Sequence, residues 1–479
     1  MFKGFEYASA PGVRQKMLPY VIISGLLLTA FLFFNYIIPL TPGRLARASS
    51  ALFHEYPLWA LVSNSSIPVP ERPIQVGILL VFFVGVMFLA YSVAVVYSWN
   101  RQASAGVRYF VVGMASFFFL TSVFALPTVN TDIFNYILRG RVAAVYGANP
   151  YYTSADKFPN DPIYTYAGKN YTSEPGDKYP AWTLINIALA EVAGDDVVNN
   201  LLIYRSAFFV FNMANLLLVA LILRQIAPQF LLSGLIIYGW NPIVVVFGQS
   251  KSDVVLTFYL LLAILLISSS RRYLAYAALA LSVFVKLITL PLLVLFCLRE
   301  FALKRWKELA IGSTLIIATT GLIYAPFMRN LGLIVSHLGA VDKGGAVHAD
   351  VLRYTFIAVF VGLVLWFGLA AKDELPDLLK RCAIVMIYLV LFLLPFAFSW
   401  YSIAVVALLS LVPDWRLAAL GLGAIAPSYM LNIWRSTFSP EFKPPVADVP
   451  SFLLYLAIPL LVMAFVIARH FYLRGQQMR

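Results

Sequence analysis

Thirteen apolar runs divide the 479-residue chain, at about 18–40, 75–98, 109–127, 200–223, 229–247, 254–269, 273–298, 308–327, 351–371, 382–398, 401–412, 416–433 and 451–470. A helix needs about 20 apolar residues to cross a hydrocarbon core, and lipid leaves no partner for an unpaired backbone amide. Runs of this length, repeated from end to end, restrict the chain to a bundle of membrane-spanning helices. Composition agrees: 61% of residues are hydrophobic and 12% charged, against about 45–50% and 25% in soluble domains. The apolar residues form blocks and do not alternate with polar ones, which excludes an outer-membrane barrel. The expected fold is an all-α polytopic membrane protein of about 12–14 transmembrane helices.

Charge sets the expected orientation. The 35 Lys and Arg exceed the 22 Asp and Glu by 13, an excess that in such a chain marks cytoplasmic loops rather than a nucleic-acid partner. Lys3, Arg14 and Lys16 precede the first run, Arg101 and Arg108 join the second to the third, and Arg474 and Arg479 follow the last. Both termini are therefore expected in the cytoplasm of a multi-pass inner (plasma) membrane protein. Residues 128–199 and 328–350 are then expected on the extracytoplasmic side of a single domain spanning 1–479. Ala46-Arg47-Ala48 resembles a cleavage site, but the run before it is too long for a signal-peptide core and reads as an uncleaved span. The run 273–298 is basic at both flanks and carries Lys286 at its centre, followed by Pro291. Two halves entering from the cytoplasm and turning near Lys286 satisfy that pattern, and a single tilted span is the competing reading.

Cys297 and Cys382 are the only cysteines, and His54, His337, His348 and His470 show no metal-ligand spacing. Neither a disulfide framework nor a metal site is expected.

Chemistry concentrates after the third run, in Thr131-Asp132-Ile133-Phe134-Asn135-Tyr136-Ile137-Leu138-Arg139-Gly140-Arg141. On a helix, Asp132, Asn135, Tyr136 and Arg139 share one face, and Thr131 is placed to cap it. Asp132 alone reads equally well as a first-turn acid paired with Arg139. A turn at Gly147-Ala148-Asn149-Pro150-Tyr151 follows, then Asp161-Pro162 and Lys178-Tyr179-Pro180, in a loop crowded with tyrosines. Aromatic faces beside polar groups suit sugar rings. Asp161, Glu174 and Asp177 in the same loop read as solvated acids.

The order TDIFNYILRGRVAAVYGANPYY, PNDP and KYPAW resembles the first large catalytic loop of prokaryotic GT-C glycosyltransferases, especially multispanning mannosyltransferases that use polyprenyl-phosphate sugars. Trp240-Asn241-Pro242, the turn Gly248-Gln249-Ser250-Lys251-Ser252-Asp253, the stretch Val285–Pro291 and Ser399-Trp400-Tyr401 extend the resemblance over about 109–412. Two positions depart from it. Many relatives have paired acids where this chain has Thr131-Asp132, and Tyr179-Pro180-Ala181-Trp182 lacks a second Gly or Pro.

The resemblance implies a GT-C type bundle with a large extracytoplasmic loop, and an inverting transfer of a sugar, mannose first, from a polyprenyl-phosphate donor to a glycan, lipid or glycolipid acceptor. Asp132 is then the general base on the acceptor hydroxyl. Arg139, Arg141, Lys251, Lys286 and Arg435 are the candidate cations for the donor phosphate. Lys286 stands out because a lysine inside an apolar run is costly, whereas Lys251 also reads as a partner of Asp253. Asn135, Tyr136, Asn149, Tyr151, Tyr179, Trp182, Trp400 and Tyr401 are the candidate substrate contacts. No cofactor is required by this reading, and the need for a divalent metal is left open. The alternatives are a transporter or flippase, or a ligase or polymerase, of lipid-linked glycans. The absence of a pseudo-symmetric second half speaks against transport, and the charged loop 328–350 keeps the ligase open.

Overall fold

The computed structural model describes residues 16–37, 73–125, 132–167, 172–176, 178–329, 332–333, 350–370, 372–393, 399–423 and 425. Among these residues every regular element is helical. In chain order the helices are α1 (Leu18–Leu32), α2 (Pro73–Ser98), α3 (Ala105–Val123), α4 (Asp132–Ala144), α5 (Pro180–Ala193), α6 (Val197–Ile226), α7 (Leu231–Gly239), α8 (Pro242–Phe247), α9 (Asp253–Ser268), α10 (Arg272–Val285), α11 (Leu290–Ala302), α12 (Trp306–Tyr324), α13 (Asp350–Leu369), α14 (Leu375–Tyr388) and α15 (Ser402–Leu409). The protein is an all-α polytopic membrane protein.

Four described segments are long and apolar enough to cross a membrane: Leu18–Tyr36, Ile78–Ser98, Ala105–Val123 and Val197–Ile226. Several other apolar runs are divided or end short, for reasons written in the chain. The run 229–247 stops at Trp240 and restarts as α8, because the Asn241 carboxamide caps it by accepting from the Ile243 N–H (2.9 Å) and Pro242 needs no donor there. Asn241-Pro242, readable from sequence as a kink, is thus a stop and a new start.

The run 273–298 breaks at Lys286, whose backbone is extended (φ −165°, ψ 130°), into α10, a short 3-10 turn at Leu287–Thr289, and α11. Arg272 at the start of α10 and Arg299 near the end of α11 both reach Asp373, at 3.3 and 3.0 Å. The chain therefore returns to the level from which it left, as a helical hairpin with Lys286 at its tip.

The long polar loop carries two helices of its own. Pro180 opens α5 and Gly194, at φ +68°, closes it. The Asp196 carboxylate then caps α6 through the Asn199 N–H (2.6 Å). Trp240 lies at the centre of the first helices, donating its indole N–H to the Val111 carbonyl (3.0 Å) and packing edge-on against Phe118 and Tyr20. Leu18, Val96, Ile317 and Leu322 point outward, as a lipid-facing surface does.

The bundle has two chemically different ends. Helix α9 runs about 24 Å between them. One end gathers Arg272, Arg299 and Arg305 around Asp373, with Lys380 on Asp414 (2.6 Å) and Arg381 on Asp377 (2.7 Å). The other carries Asp253, the Lys286 tip and the first turn of α4.

Candidate active site

Helix α4 begins at Asp132, whose carboxylate is about one-third exposed and forms an ion pair with the buried ammonium of Lys251. Lys251 lies in the turn between α8 and α9. Two residues on, Asp253 opens α9 and holds the Lys286 ammonium with both oxygens, at 2.9 and 3.0 Å. Asp253 is 2% exposed and Lys286 25% exposed, so the second pair is closed on the acid side and open on the lysine side.

Two consecutive rings cover the two lysines. The Lys251 ammonium sits 3.6 Å from the centroid of the Trp400 ring, and that of Lys286 sits 4.0 Å from the centroid of the Tyr401 ring. Each such contact is worth about 0.5–2 kcal/mol. It places a cation against a surface that takes up none of its hydrogen-bond donors. Burial pushes the Lys251 ammonium down to about 8, and Lys286 adds to that, while Asp132 and Asp253 oppose it.

Five residues singled out from sequence, Asp132, Lys251, Lys286, Trp400 and Tyr401, thus meet at one end of the bundle. The pairing differs from the simple sequence reading: Lys251 takes Asp132, and Asp253 takes Lys286. Asp253 is the residue that the sequence reading did not place in the site. Its signal was the lysine inside an apolar run, which demands an acid from a neighbouring helix.

The other described candidates lie in α4, in the loop after it and in α5. Arg141 is 1% exposed; its Nε donates to Asp161 (2.8 Å) and its Nη2 to Asp195 (2.8 Å). Its guanidinium is taken up in a clamp inside the loop, and Tyr146 adds a hydroxyl to Asp161 (3.0 Å). Asp161, expected to be solvated, is buried there because it opposes a buried guanidinium, whereas Glu174 is exposed. Arg139 and Asn135 are buried within α4. Tyr136 meets Trp182 edge-on, and Trp182 stacks on Phe208, so both rings belong to the packing between α4, α5 and α6.

Asn149 donates to the Phe327 carbonyl (2.8 Å) and accepts from the Tyr151 N–H (3.1 Å), tying the loop to the end of α12. The Tyr151 hydroxyl shares a hydrogen bond with Thr183 (2.8 Å), and Tyr179 precedes α5. Arg435, the cap residue Thr131, Asp177, the four histidines and most of 328–350 lie outside the described residues.

Residues 43–300 match the family described as Alpha-(1->6)-mannopyranosyltransferase, N-terminal domain. The chain belongs to this family. The match covers more than half of the chain and includes Asp132, Lys251, Asp253 and Lys286, while Trp400 and Tyr401 lie beyond it. The family makes the chain a mannosyltransferase, a membrane glycosyltransferase of GT-C type acting on a sugar donor and a glycan acceptor. A search of curated proteins finds no match.

Proposed function

We propose that this mannosyltransferase takes mannose from a polyprenyl-phosphate donor and delivers it to a hydroxyl of a mannose-containing acceptor, with inversion at the anomeric carbon. The observation that carries the reading is the meeting of one partly open carboxylate, Asp132, with two ammonium groups, Lys251 and Lys286, under Trp400 and Tyr401.

A sugar bonded to a lipid phosphate already carries its leaving group, so little covalent work is left to the protein. Asp132 accepts the proton of the acceptor hydroxyl as its oxygen bonds to the anomeric carbon. The bond from that carbon to the phosphate oxygen breaks, and its electron pair leaves with the lipid phosphate. The two ammonium groups meet the growing charge on that phosphate, where charge-directed donors contribute most. One displacement with one base inverts the centre, and no cofactor enters the scheme. Arg139 lies on the same helix as the base and Arg141 in the clamp; neither is needed for the phosphate in this reading.

The arginine-rich end around Asp373 is read as cytoplasmic and the Asp132 end as extracytoplasmic. A lipid-linked donor presented at the outer face then meets the site on its open side, at Asp132 and Lys286, with the Lys251 charge behind them.

The test is transfer by purified protein from a panel of defined donors, with the product's linkage and anomer determined. Mannose moving from polyprenyl-phosphate mannose to the 6-hydroxyl of a mannoside supports the reading. Use of a nucleotide-linked mannose, or transfer of a whole glycan from lipid pyrophosphate, contradicts it.

A further inference from the structure

Beneath the turn that carries Lys251 lies a chain of polar side chains in the middle of the bundle. Asn212 and Asn215 stand one helical turn apart on α6, Tyr238 faces them from α7, and all three are fully buried. The Tyr238 hydroxyl donates to Asn212 Oδ1 (3.0 Å) and accepts from Asn215 Nδ2 (2.8 Å). Asn212 Nδ2 donates to the Gly248 carbonyl (3.0 Å), and Asn215 Nδ2 gives its second hydrogen to the Val254 carbonyl (3.0 Å). Those two carbonyls bracket residues 249–253, the segment holding both Lys251 and Asp253.

We propose that Asn212, Tyr238 and Asn215 are positioning residues for transfer. They pin both ends of the turn so that Lys251 stays on Asp132 and Asp253 stays on Lys286. The proposal rests on the reading of Lys251 and Lys286 as the phosphate-binding pair.

Three observations support it. Two amides and a phenol buried in an apolar core are costly unless paired, and hydrocarbon side chains of the same size would hold the helices together without that cost. The hydrogen bonds end on the Gly248 carbonyl, where the turn begins, and on the Val254 carbonyl, in the first turn of α9. Finally, the turn begins with a glycine that lets Asn212 approach: a Cβ on Gly248 would lie 2.2 Å from the Val244 carbonyl oxygen and also 2.8 Å from Asn212 Nδ2.

Stability and activity separate a positioning role from a mere helix tie. Tyr238→Phe removes one oxygen, leaves two amides short of a partner, and is expected to lower both the thermal midpoint and turnover. The triple variant Asn212→Leu, Asn215→Leu, Tyr238→Phe replaces the whole chain with apolar groups of similar size. It is expected to regain part of the lost midpoint in detergent, since no orphaned side-chain amide remains and the cost left is the hydrogen bond lost by the Gly248 carbonyl. Its kcat with polyprenyl-phosphate mannose and a mannoside acceptor is expected to stay about 10- to 100-fold below the parent's, the scale of a misplacement near 1 Å.

A folded triple variant with kcat within twofold of the parent overturns the proposal. Should the triple variant not fold, Tyr238→Phe decides alone: turnover per folded protein equal to the parent's overturns it as well. Lys251→Met and Lys286→Met, assayed beside these, keep the two claims apart. If both lysine variants use donor like the parent, the phosphate reading fails; if they fail while the triple variant performs like the parent, only the positioning role falls.

Discussion

Asp132 and Lys251 stand 119 positions apart in the chain and meet as an ion pair whose lysine is buried and whose acid is partly open. The pair joins the start of the long polar loop to the turn before α9, and so, in the proposed reaction, couples the proton acceptor to the cations. Its asymmetry matters. The acid remains reachable by an acceptor hydroxyl, while the lysine is shielded by Trp400 and cannot be hydrated in its place.

Lys251 is expected to set an alkaline limit on the proposed reaction. Its ammonium, held down to about 8 mainly by burial, is charged below that pH and neutral above it. In the proposed reaction that charge serves the donor phosphate, so kcat/KM for donor is expected to fall as pH rises through about 8. Lys251→Arg, which cannot lose its charge in this range, is expected to move that fall upward at a lower maximal rate. The groups facing Lys251 are Asp132, Asp253 and Lys286. A parent profile that stays flat to the ordinary lysine value of 10.5 contradicts the assignment.

Asp253→Asn removes the charge that holds Lys286 on two oxygens. The expected result is a raised donor KM and turnover lower by about tenfold or more, the scale of removing one charge-directed contact. The double variant Asp253→Asn, Lys286→Met, which leaves no unmatched charge, is expected to recover thermal stability without recovering turnover. Parent-like donor KM in Asp253→Asn, at equal folded protein, places Asp253 outside the site.

Arg141→Met is expected to act on folding. It strands the Asp161 carboxylate, whose side chain is fully buried, and breaking such a pair costs about 3–5 kcal/mol. Thermal unfolding in detergent reads this loss, and Arg141→Lys should restore part of it, since an ammonium can match the buried Asp161 but not also hold the exposed Asp195. A stable Arg141→Met protein with only its donor KM raised returns Arg141 to the phosphate.

Single cysteines at Asn160 and Lys372, both exposed, in a background without Cys297 and Cys382, test the orientation. An impermeant thiol reagent added outside intact cells is expected to label Asn160→Cys and spare Lys372→Cys. The reverse pattern inverts the bundle and puts the site on the cytoplasmic face.

The sequence made the helical class legible through run length alone, and it picked out residues that the fold gathers at one end of the bundle wherever one was out of place: a lysine in an apolar run, an acid opening a loop helix, a Trp-Tyr pair late in the chain. It did not reveal partners. Lys251 has an acid two residues away, and nothing local says that it turns instead to Asp132. Helical periodicity could not tell that Asp132 stays partly open while Asn135, Tyr136 and Arg139 are buried, because a loop helix packed against α5 and α6 buries several faces at once. Nor could the sequence show that Trp182 packs between Tyr136 and Phe208 or that Asn149 ties the loop to the end of α12, because aromatic and amide groups in a polar loop can serve packing and turn closure with the chemistry that also suits a sugar. The break at Lys286 was readable, since a basic residue between two basic flanks cannot sit in a continuous span without an anion. The hairpin's base on Asp373 was not, because it joins loops far apart in the chain.

The central claim is that Asp132 takes the acceptor's proton. Asp132→Asn keeps the size of the side chain and removes its basicity, and turnover of polyprenyl-phosphate mannose by the purified variant measures the consequence most directly. The expected result is a loss of about 10²–10⁴-fold in kcat with donor KM changed only a few-fold and the thermal midpoint near the parent's. Turnover within a few-fold of the parent at equal folded protein would contradict the account.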